Sequence, residues 1–214
     1  MVFGHGQFLE IARAPLKRSE ILSKRIFDII IACIAILVLS PVMIVAAVAI
    51  VIDTGFPIVF SQKRRGLGGV PFNILKFRSM RVMENGDNIR QATRNDDRVT
   101  RVGKILRRLS IDELPQLFNV LAGSMSIIGP RPHAISHDDS YGLIIENYSL
   151  RHNIKPGITG WAQANGWRGE TAKTGDMEQR VRYDIWYINN WSLLTDAKII
   201  LMTLQQLFSS QNAF

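Results

Sequence analysis

The chain has 214 residues, 47% of them hydrophobic, enough to bury a core in one domain of ordinary size, and it carries a formal net charge of +8. A cation excess of that size selects a polyanionic partner, which leaves nucleic acid, the anionic face of a bilayer or a phosphorylated substrate. The single cysteine, Cys33, excludes an intrachain disulfide; it lies in an apolar run, reads as a small apolar side chain and suits a reducing compartment.

Residues 1–23 are basic with scattered apolar positions (Phe8, Leu9, Ile11, Leu16, Ile21, Leu22), a pattern that suits an interfacial helix. From Ile29 to Ile52 only Ser40 and Pro41 interrupt an apolar run of 24 residues. As one helix it would measure about 36 Å, enough to cross a bilayer. Pro41 sits at its midpoint, where it lacks the N–H that would bond Leu37 and crowds that carbonyl, so two shorter arms are expected. Both flanks are basic: Lys17, Arg18, Lys24 and Arg25 precede the run, and Lys63, Arg64, Arg65, Lys76 and Arg78 follow it. The positive-inside bias then places both ends in the cytoplasm, so a re-entrant hairpin over 24–53, bent at Ser40-Pro41, is expected rather than a straight crossing.

The remainder, 54–214, reads as one compact cytoplasmic catalytic unit, α/β but mostly helical. Ile58–Gln62 and Phe72–Phe77 are expected strands of a short β-hairpin around a glycine-rich turn that lacks the ending of a P-loop. Residues 82–100 read as a polar loop, Val102–Leu109 and Ile111–Leu121 as helices, and Ser126–Pro132 as a rigid connector. Helices are expected over Tyr141–His152 and Met177–Asn189, with a glycine-rich stretch from Pro156 to Gly169 between them. A last helix from near Ser192 carries an apolar stripe of Leu194, Ala197, Ile200, Leu201, Leu204 and Phe208.

Chemistry concentrates at Leu109-Ser110-Ile111-Asp112-Glu113-Leu114-Pro115, where two adjacent carboxylates follow Arg101, Lys104, Arg107 and Arg108. Such a pair can hold a divalent cation, attack phosphorus, or do both. Ser110 and Glu113 also fit a capping box, which gives Glu113 a structural alternative and puts Asp112 beside the free N–H groups of a helix start. In Gly129-Pro130-Arg131-Pro132 an arginine is held between two residues of fixed φ, a suitable phosphate clamp; an exposed turn is the alternative. Arg107 is placed to point at the same pocket, unless it belongs to a solvated helix face. Lys76 and Arg78 alternate around Phe77 and would line a phosphate-binding rim or a membrane-facing basic surface. Trp161, Gln163, Asn165 and Trp167 offer stacking surface and amides suited to a base or a sugar, or else pack on the core. His133 and His137 have i, i+4 spacing without a matching third ligand, so zinc is not expected, and no nucleic-acid motif is present.

With these residues in view, the chain resembles the bacterial sugar transferases, monotopic phosphoglycosyl transferases that load a sugar phosphate onto a polyprenol phosphate. The likeness rests on Lys24-Arg25-Ile26-Phe27-Asp28, Ser40-Pro41, Lys76-Phe77-Arg78-Ser79-Met80, Leu109 to Asn119, Gly129 to Pro132, Lys155 to Trp161, and Trp191 to Asp196. It implies a bacterial inner-membrane enzyme with a UDP-sugar donor, an undecaprenyl phosphate acceptor and Mg²⁺, acting in the first membrane step of exopolysaccharide, capsule or O-antigen assembly. It further implies that Asp112 attacks the donor's β-phosphate, releasing UMP and leaving a phosphosugar on the enzyme. By the same resemblance Glu113 assists with metal or proton, Arg107 and Arg131 grip phosphate oxygens, and Asp196 joins the substrate-binding set. Glucose or galactose 1-phosphate is the expected cargo from Asn165 to Thr171, although Ala172 stands where an acidic residue is common. A homodimer is left open. The competing class is a membrane-anchored basic protein that binds anionic lipid or nucleic acid without catalysis; such a binder gains nothing from two carboxylates among its arginines.

Overall fold

The computed structural model describes residues 16–81, 96–169 and 174–208. Phe8, Leu9 and Ile11 of the interfacial segment, most of the polar loop, Thr171 and Ala172, and the side chain of Phe208 lie outside the described residues.

Helix α1 (Arg18–Thr54, 37 residues) begins where Glu20 accepts a hydrogen bond from the Lys17 backbone N–H (2.8 Å) and ends at Gly55, whose φ of +72° a side chain would resist. The two expected arms are not parted by a non-helical break, since helix α1 runs on through Pro41. The Ser40 hydroxyl donates to the Leu37 carbonyl (3.0 Å), the same acceptor that Pro41 leaves without its N–H, so the proline is accommodated where no water is needed. Residues 18–23, read from the sequence with the interfacial segment, are the first turns of this helix.

One stripe of α1, comprising Lys24, Asp28, Ala32, Ala46 and Ile50, is buried against the rest of the chain. The opposite stripe is apolar and exposed, with Leu37 76%, Val45 68% and Ile52 81% accessible. The helix is long and apolar enough to cross a membrane, and only 11% of its most apolar 18-residue window is buried. Both of its halves nevertheless rest on the same body. Ala32 joins the main core with Leu117, Val120, Met125, Ile128, Tyr187, Trp191 and Ile199, while Ala46 and Ile50 join Phe77 and Leu106.

β1 (Val59–Arg65) and β2 (Pro71–Phe77) form the expected hairpin, antiparallel with Val59 opposite Phe77 and Arg65 opposite Pro71. α2 (Arg101–Arg108) is capped by the Thr100 hydroxyl, which accepts from Gly103 N–H (2.8 Å). The single helix expected over Ile111–Leu121 is instead a 3₁₀ turn, Ile111–Glu113, followed by α3 (Gln116–Ala122), because Pro115 cannot supply an N–H to continue the first turn.

The connector and the glycine-rich stretch hide a second sheet. β3 (Ser126–Ile128) pairs in parallel with β4 (Gly157–Thr159). A Cβ on Gly157 would lie 2.1 Å from the Gly129 nitrogen, so only glycine lets these backbones meet. α4 (Ile135–Ile144) and a 3₁₀ segment (Tyr148–Asn153) replace the one helix expected over Tyr141–His152. α5 (Trp161–Ala164), α6 (Thr174–Asn189) and α7 (Leu193–Phe208) complete the described chain.

Candidate active site

Asn119, buried on α3, fixes the element pair that builds the site. Its Oδ1 accepts from Leu75 N–H (2.9 Å) and its Nδ2 donates to the Asn73 carbonyl (2.8 Å). β2 is thereby locked beside the Ile111–Glu113 turn, and Lys76 is delivered to the acidic pair. Ser110, just before that turn, adopts a left-handed conformation (φ +57°), an uncommon state for a residue with a side chain and a small local strain. No capping box forms, which corrects that reading of Ser110 and Glu113. The Ser110 hydroxyl accepts from Arg168 (2.5 Å), and the Glu113 carboxylate faces cations instead.

Glu113 is 8% accessible and clamped by three hydrogen bonds: Lys76 Nζ to Oε1 (2.9 Å), Arg131 Nη2 to Oε1 (2.5 Å) and Arg131 Nη1 to Oε2 (3.0 Å). Arg131 thus binds it in the two-pronged mode that suits a guanidinium. Burial acts to raise the Glu113 pKa, but Arg131 and Lys76 outweigh it and hold the carboxyl well below its ordinary value.

Asp112, 9% accessible, is different. Among the described residues its carboxylate makes no hydrogen bond and no ion pair. Burial, and then the charge of Glu113, push its pKa up against the opposing pull of Lys76, Arg107 and Arg131. Two adjacent carboxylates are therefore split by environment into one clamped with its pKa held down, and one unclamped with its pKa pushed up.

The other expected site residues divide. Lys76, Arg131 and Arg107 come to the pair; Arg107 also donates to the Met80 sulfur (3.5 Å), and its charge acts on Asp112. Arg78 does not come. Its guanidinium closes the C-terminus of α1, donating to Thr54 Oγ1 (2.6 Å), the Phe56 carbonyl (2.9 Å) and the Gly55 carbonyl, so its place is structural. Asp196 is likewise not a surface for substrate: fully buried, it accepts from Lys24 Nζ (2.8 Å), Tyr187 OH (2.6 Å) and Trp191 Nε1 (3.2 Å), and so locks α7 to the base of α1. Trp161 stacks on Trp186 (centroids 4.7 Å apart) under Lys198, and Gln163 is buried with Nε2 near the Ile158 carbonyl (3.4 Å). Among the described residues no hydrogen bond or ring contact joins either to the acidic pair.

The fold also brings in residues that were not expected at this site. Arg151 donates to the Arg131 carbonyl (2.7 Å), to Asp184 Oδ2 (2.9 Å) and to Tyr148 OH (2.9 Å), and so supports the clamp's backbone from behind. His133 is buried among Arg151, Arg180 and Arg64, and burial with these charges lowers its pKa far enough to keep the imidazole neutral. Arg64 is pushed down to about 10, by burial first and the neighbouring Arg131 second. Arg180 and Asp184 were detectable in principle, as charged residues in register with the buried Met177, Val181 and Ile185 of α6.

For a metal, the described residues contain no group of three or more His, Cys, Asp or Glu able to hold an ion. They do offer Asp112 unclamped beside Glu113. A magnesium ion bound through one or two carboxylates, with its other positions given to water and substrate phosphates, fits such a donor set.

The family model of the bacterial sugar transferases matches residues 19–210. Over 201 residues the chain is 50% identical to a UDP-glucose:undecaprenyl-phosphate glucose-1-phosphate transferase of Klebsiella pneumoniae, covering 94% of this chain and 43% of that protein. A protein of the same name from Caulobacter vibrioides is 49% identical over 201 residues, 94% of this chain and 75% of its own length. A UDP-N-acetylgalactosamine-undecaprenyl-phosphate N-acetylgalactosaminephosphotransferase of Aeromonas hydrophila is 43% identical over 190 residues, 89% of this chain and 44% of its own. The chain thus spans less than half the length of several curated relatives it matches.

Proposed function

The chain belongs to the bacterial sugar transferase family, and from that premise we propose that it transfers a hexose 1-phosphate from a UDP-sugar to undecaprenyl phosphate, releasing UMP, by way of a phosphosugar on Asp112. The observation that carries this reading is the split of the acidic pair. A nucleophile must not be spent on a neighbour, and among the described residues Asp112 alone of the two carboxylates meets that condition.

In the proposed first step an Asp112 oxygen forms a bond to the donor's β-phosphorus. The bond from that phosphorus to the bridging oxygen breaks, and UMP departs with the electron pair. In the second step an oxygen of undecaprenyl phosphate attacks the same phosphorus, and the Asp112 carboxylate leaves unchanged. Glu113 keeps Lys76 and Arg131 in fixed positions beside Asp112, so their charges need not reorganise as phosphoryl oxygens arrive. Mg²⁺, held by Asp112 and Glu113, would neutralise charge on the phosphates. Glucose and galactose are the favoured cargoes, and the names of the Klebsiella and Caulobacter relatives support glucose. The product would start exopolysaccharide, capsule or O-antigen assembly.

The proposed setting is the cytoplasmic face of the bacterial inner membrane, with α1 re-entrant. Support comes from the packing of α1: its first turns are tied to Asp196 and its end to Arg78, on one body, while its outer stripe stays apolar. A helix laid along its own domain dips that stripe into one leaflet and keeps the pocket where a soluble nucleotide sugar and a lipid phosphate both reach it.

The direct assay is UMP release from UDP-glucose or UDP-galactose with magnesium and undecaprenyl phosphate. Native protein should turn over, and Asp112→Asn should lose about 10⁴-fold or more, the scale seen when a covalent nucleophile is removed. Equal turnover in both would remove Asp112 from the reaction.

A further inference from the structure

Contacts around the acidic pair close into a ring. Glu113 binds Arg131; His133, two residues on, lies against Arg180 (Nε2 to Nη1, 3.4 Å); Arg180 Nη2 donates to the Gly169 carbonyl (2.7 Å); Arg168, next to Gly169, donates to Ser110 Oγ (2.5 Å); and Ser110 leads back to Asp112. The ring draws on four separate stretches of chain and carries more cation than it neutralises. Lys76 and Arg131 are paired with Glu113, and Arg151 with Asp184. Among the described residues the hydrogen-bond partners of Arg168 and Arg180 are neutral, a hydroxyl for one, a carbonyl and a neutral imidazole for the other, and carboxylates act on them only through space.

Arg180 is the telling case. It is 5% accessible, and its Nε is buried with no hydrogen-bond partner. The carboxylate one turn along α6, Asp184, is taken by Arg151 (2.9 Å). Among the described residues no carboxylate bonds the Arg180 guanidinium directly, and burying a guanidinium that no anion contacts is unfavourable. Burial first and the nearby Arg131 second lower its pKa to about 10 against the opposing attraction of Asp184, the direction expected of a cation that its surroundings compensate only in part. Arg168, half-buried between α5 and α6, is shifted the same way, by burial first.

We propose that Arg168 and Arg180 form the seat for the second phosphoryl group of a diphosphate substrate, the one that is not transferred. This rests on the proposed function only in that Asp112 engages the first phosphoryl group. A diphosphate spanning Asp112 and this seat would bring negative charge to the two guanidinium groups. It would place donors on the phosphate that departs, where negative charge develops as the bridging bond breaks. Because Arg180 also holds Gly169 and Arg168 also holds Ser110, occupancy would tie the loop carrying Arg168 to the turn that carries the nucleophile.

The test uses the full chain in lipid nanodiscs with saturating magnesium, and calorimetric titration of inorganic pyrophosphate and, separately, orthophosphate. Pyrophosphate should bind at least about tenfold more tightly than orthophosphate to the native protein. Arg168→Gln should remove most of that advantage while orthophosphate affinity stays within about twofold. Arg180→Lys, which keeps the charge and guards against loss of fold, should weaken pyrophosphate by a smaller factor, and Arg180→Gln by more. Unchanged pyrophosphate binding in Arg168→Gln with a native thermal midpoint would overturn the proposal, as would an equal loss of both anions. UMP release separates this from the function itself. Loss of the pyrophosphate advantage in a protein that never releases UMP upholds the seat and rejects the UDP-sugar donor. Native UMP release with pyrophosphate binding indifferent to both arginines does the reverse.

Discussion

Two neighbouring carboxyl groups with opposite pKa displacements make a sharp pH prediction. In the proposed mechanism Asp112 attacks as its carboxylate, and its pKa lies above the ordinary aspartate value through burial and the Glu113 charge. Neutralising Glu113 removes that repulsion and releases Lys76 and Arg131 to act on Asp112, and both changes lower its pKa. The residual activity of Glu113→Gln should therefore show its acidic limb of kcat/KM at lower pH than the native enzyme; a limb that stays in place or moves up would contradict this electrostatic account. Stability follows the same signs. An acid whose pKa is raised on folding binds more protons in the native state, so ionised Asp112 costs stability above its unfolded pKa. Asp112→Asn should have a thermal midpoint equal to or above that of the native protein at pH 7 even as turnover disappears, and a clear fall in midpoint would show the carboxylate to be structural. Glu113, with its pKa depressed, contributes stability that is present above the unfolded carboxyl value and lost as pH falls through the folded one.

The elements that hold the site are joined by buried polar ties, and these carry predictions of their own. Lys24 on α1 and Asp196 on α7 pair at 2.8 Å with almost no exposure, so Asp196→Ala leaves an uncompensated ammonium and should cost about 3–5 kcal/mol in denaturant unfolding. A cost under about 1 kcal/mol would make the pair a surface-like contact. Helices and the hairpin were largely legible in the sequence, because apolar periodicity and turn residues report local structure. β3 and β4 were not legible: three-residue strands carry too little pattern, and their pairing depends on glycines 28 residues apart that permit close approach. The Ile111–Glu113 turn was misread as a helix start since Ser110 and Glu113 have cap spacing, whereas Arg168, distant in sequence, claims the serine. For the same reason Asp112, Glu113, Lys76, Arg107 and Arg131 could be nominated from composition and motif, while Arg78 and Asp196, equally charged, turn out to serve α1. Charge alone cannot tell a ligand for phosphate from a ligand for a helix end.

At the scale of the molecule, α1 carries the proposed membrane setting. Its buried stripe runs from Lys24 to Ile50 on one body, so both ends should face the same compartment. In a Cys33→Ser background, Arg18→Cys and Phe56→Cys, both at exposed positions, should each resist a membrane-impermeant maleimide in intact cells and react after permeabilisation. Labelling of one end alone from outside would establish a true crossing. The net charge of +8 has two uses in this arrangement: cations such as Arg25 dock α1 through the Val120 and Leu121 carbonyls, and a second group converges on the acidic pair.

The most direct measurement is the intact mass of the protein after brief incubation with UDP-glucose and magnesium in the absence of acceptor, followed by peptide mapping. The account predicts one added hexose phosphate, on the peptide containing Asp112, discharged when undecaprenyl phosphate is supplied and missing in Asp112→Asn. Product formation with no such adduct at any time, or an adduct on a different residue, would contradict it.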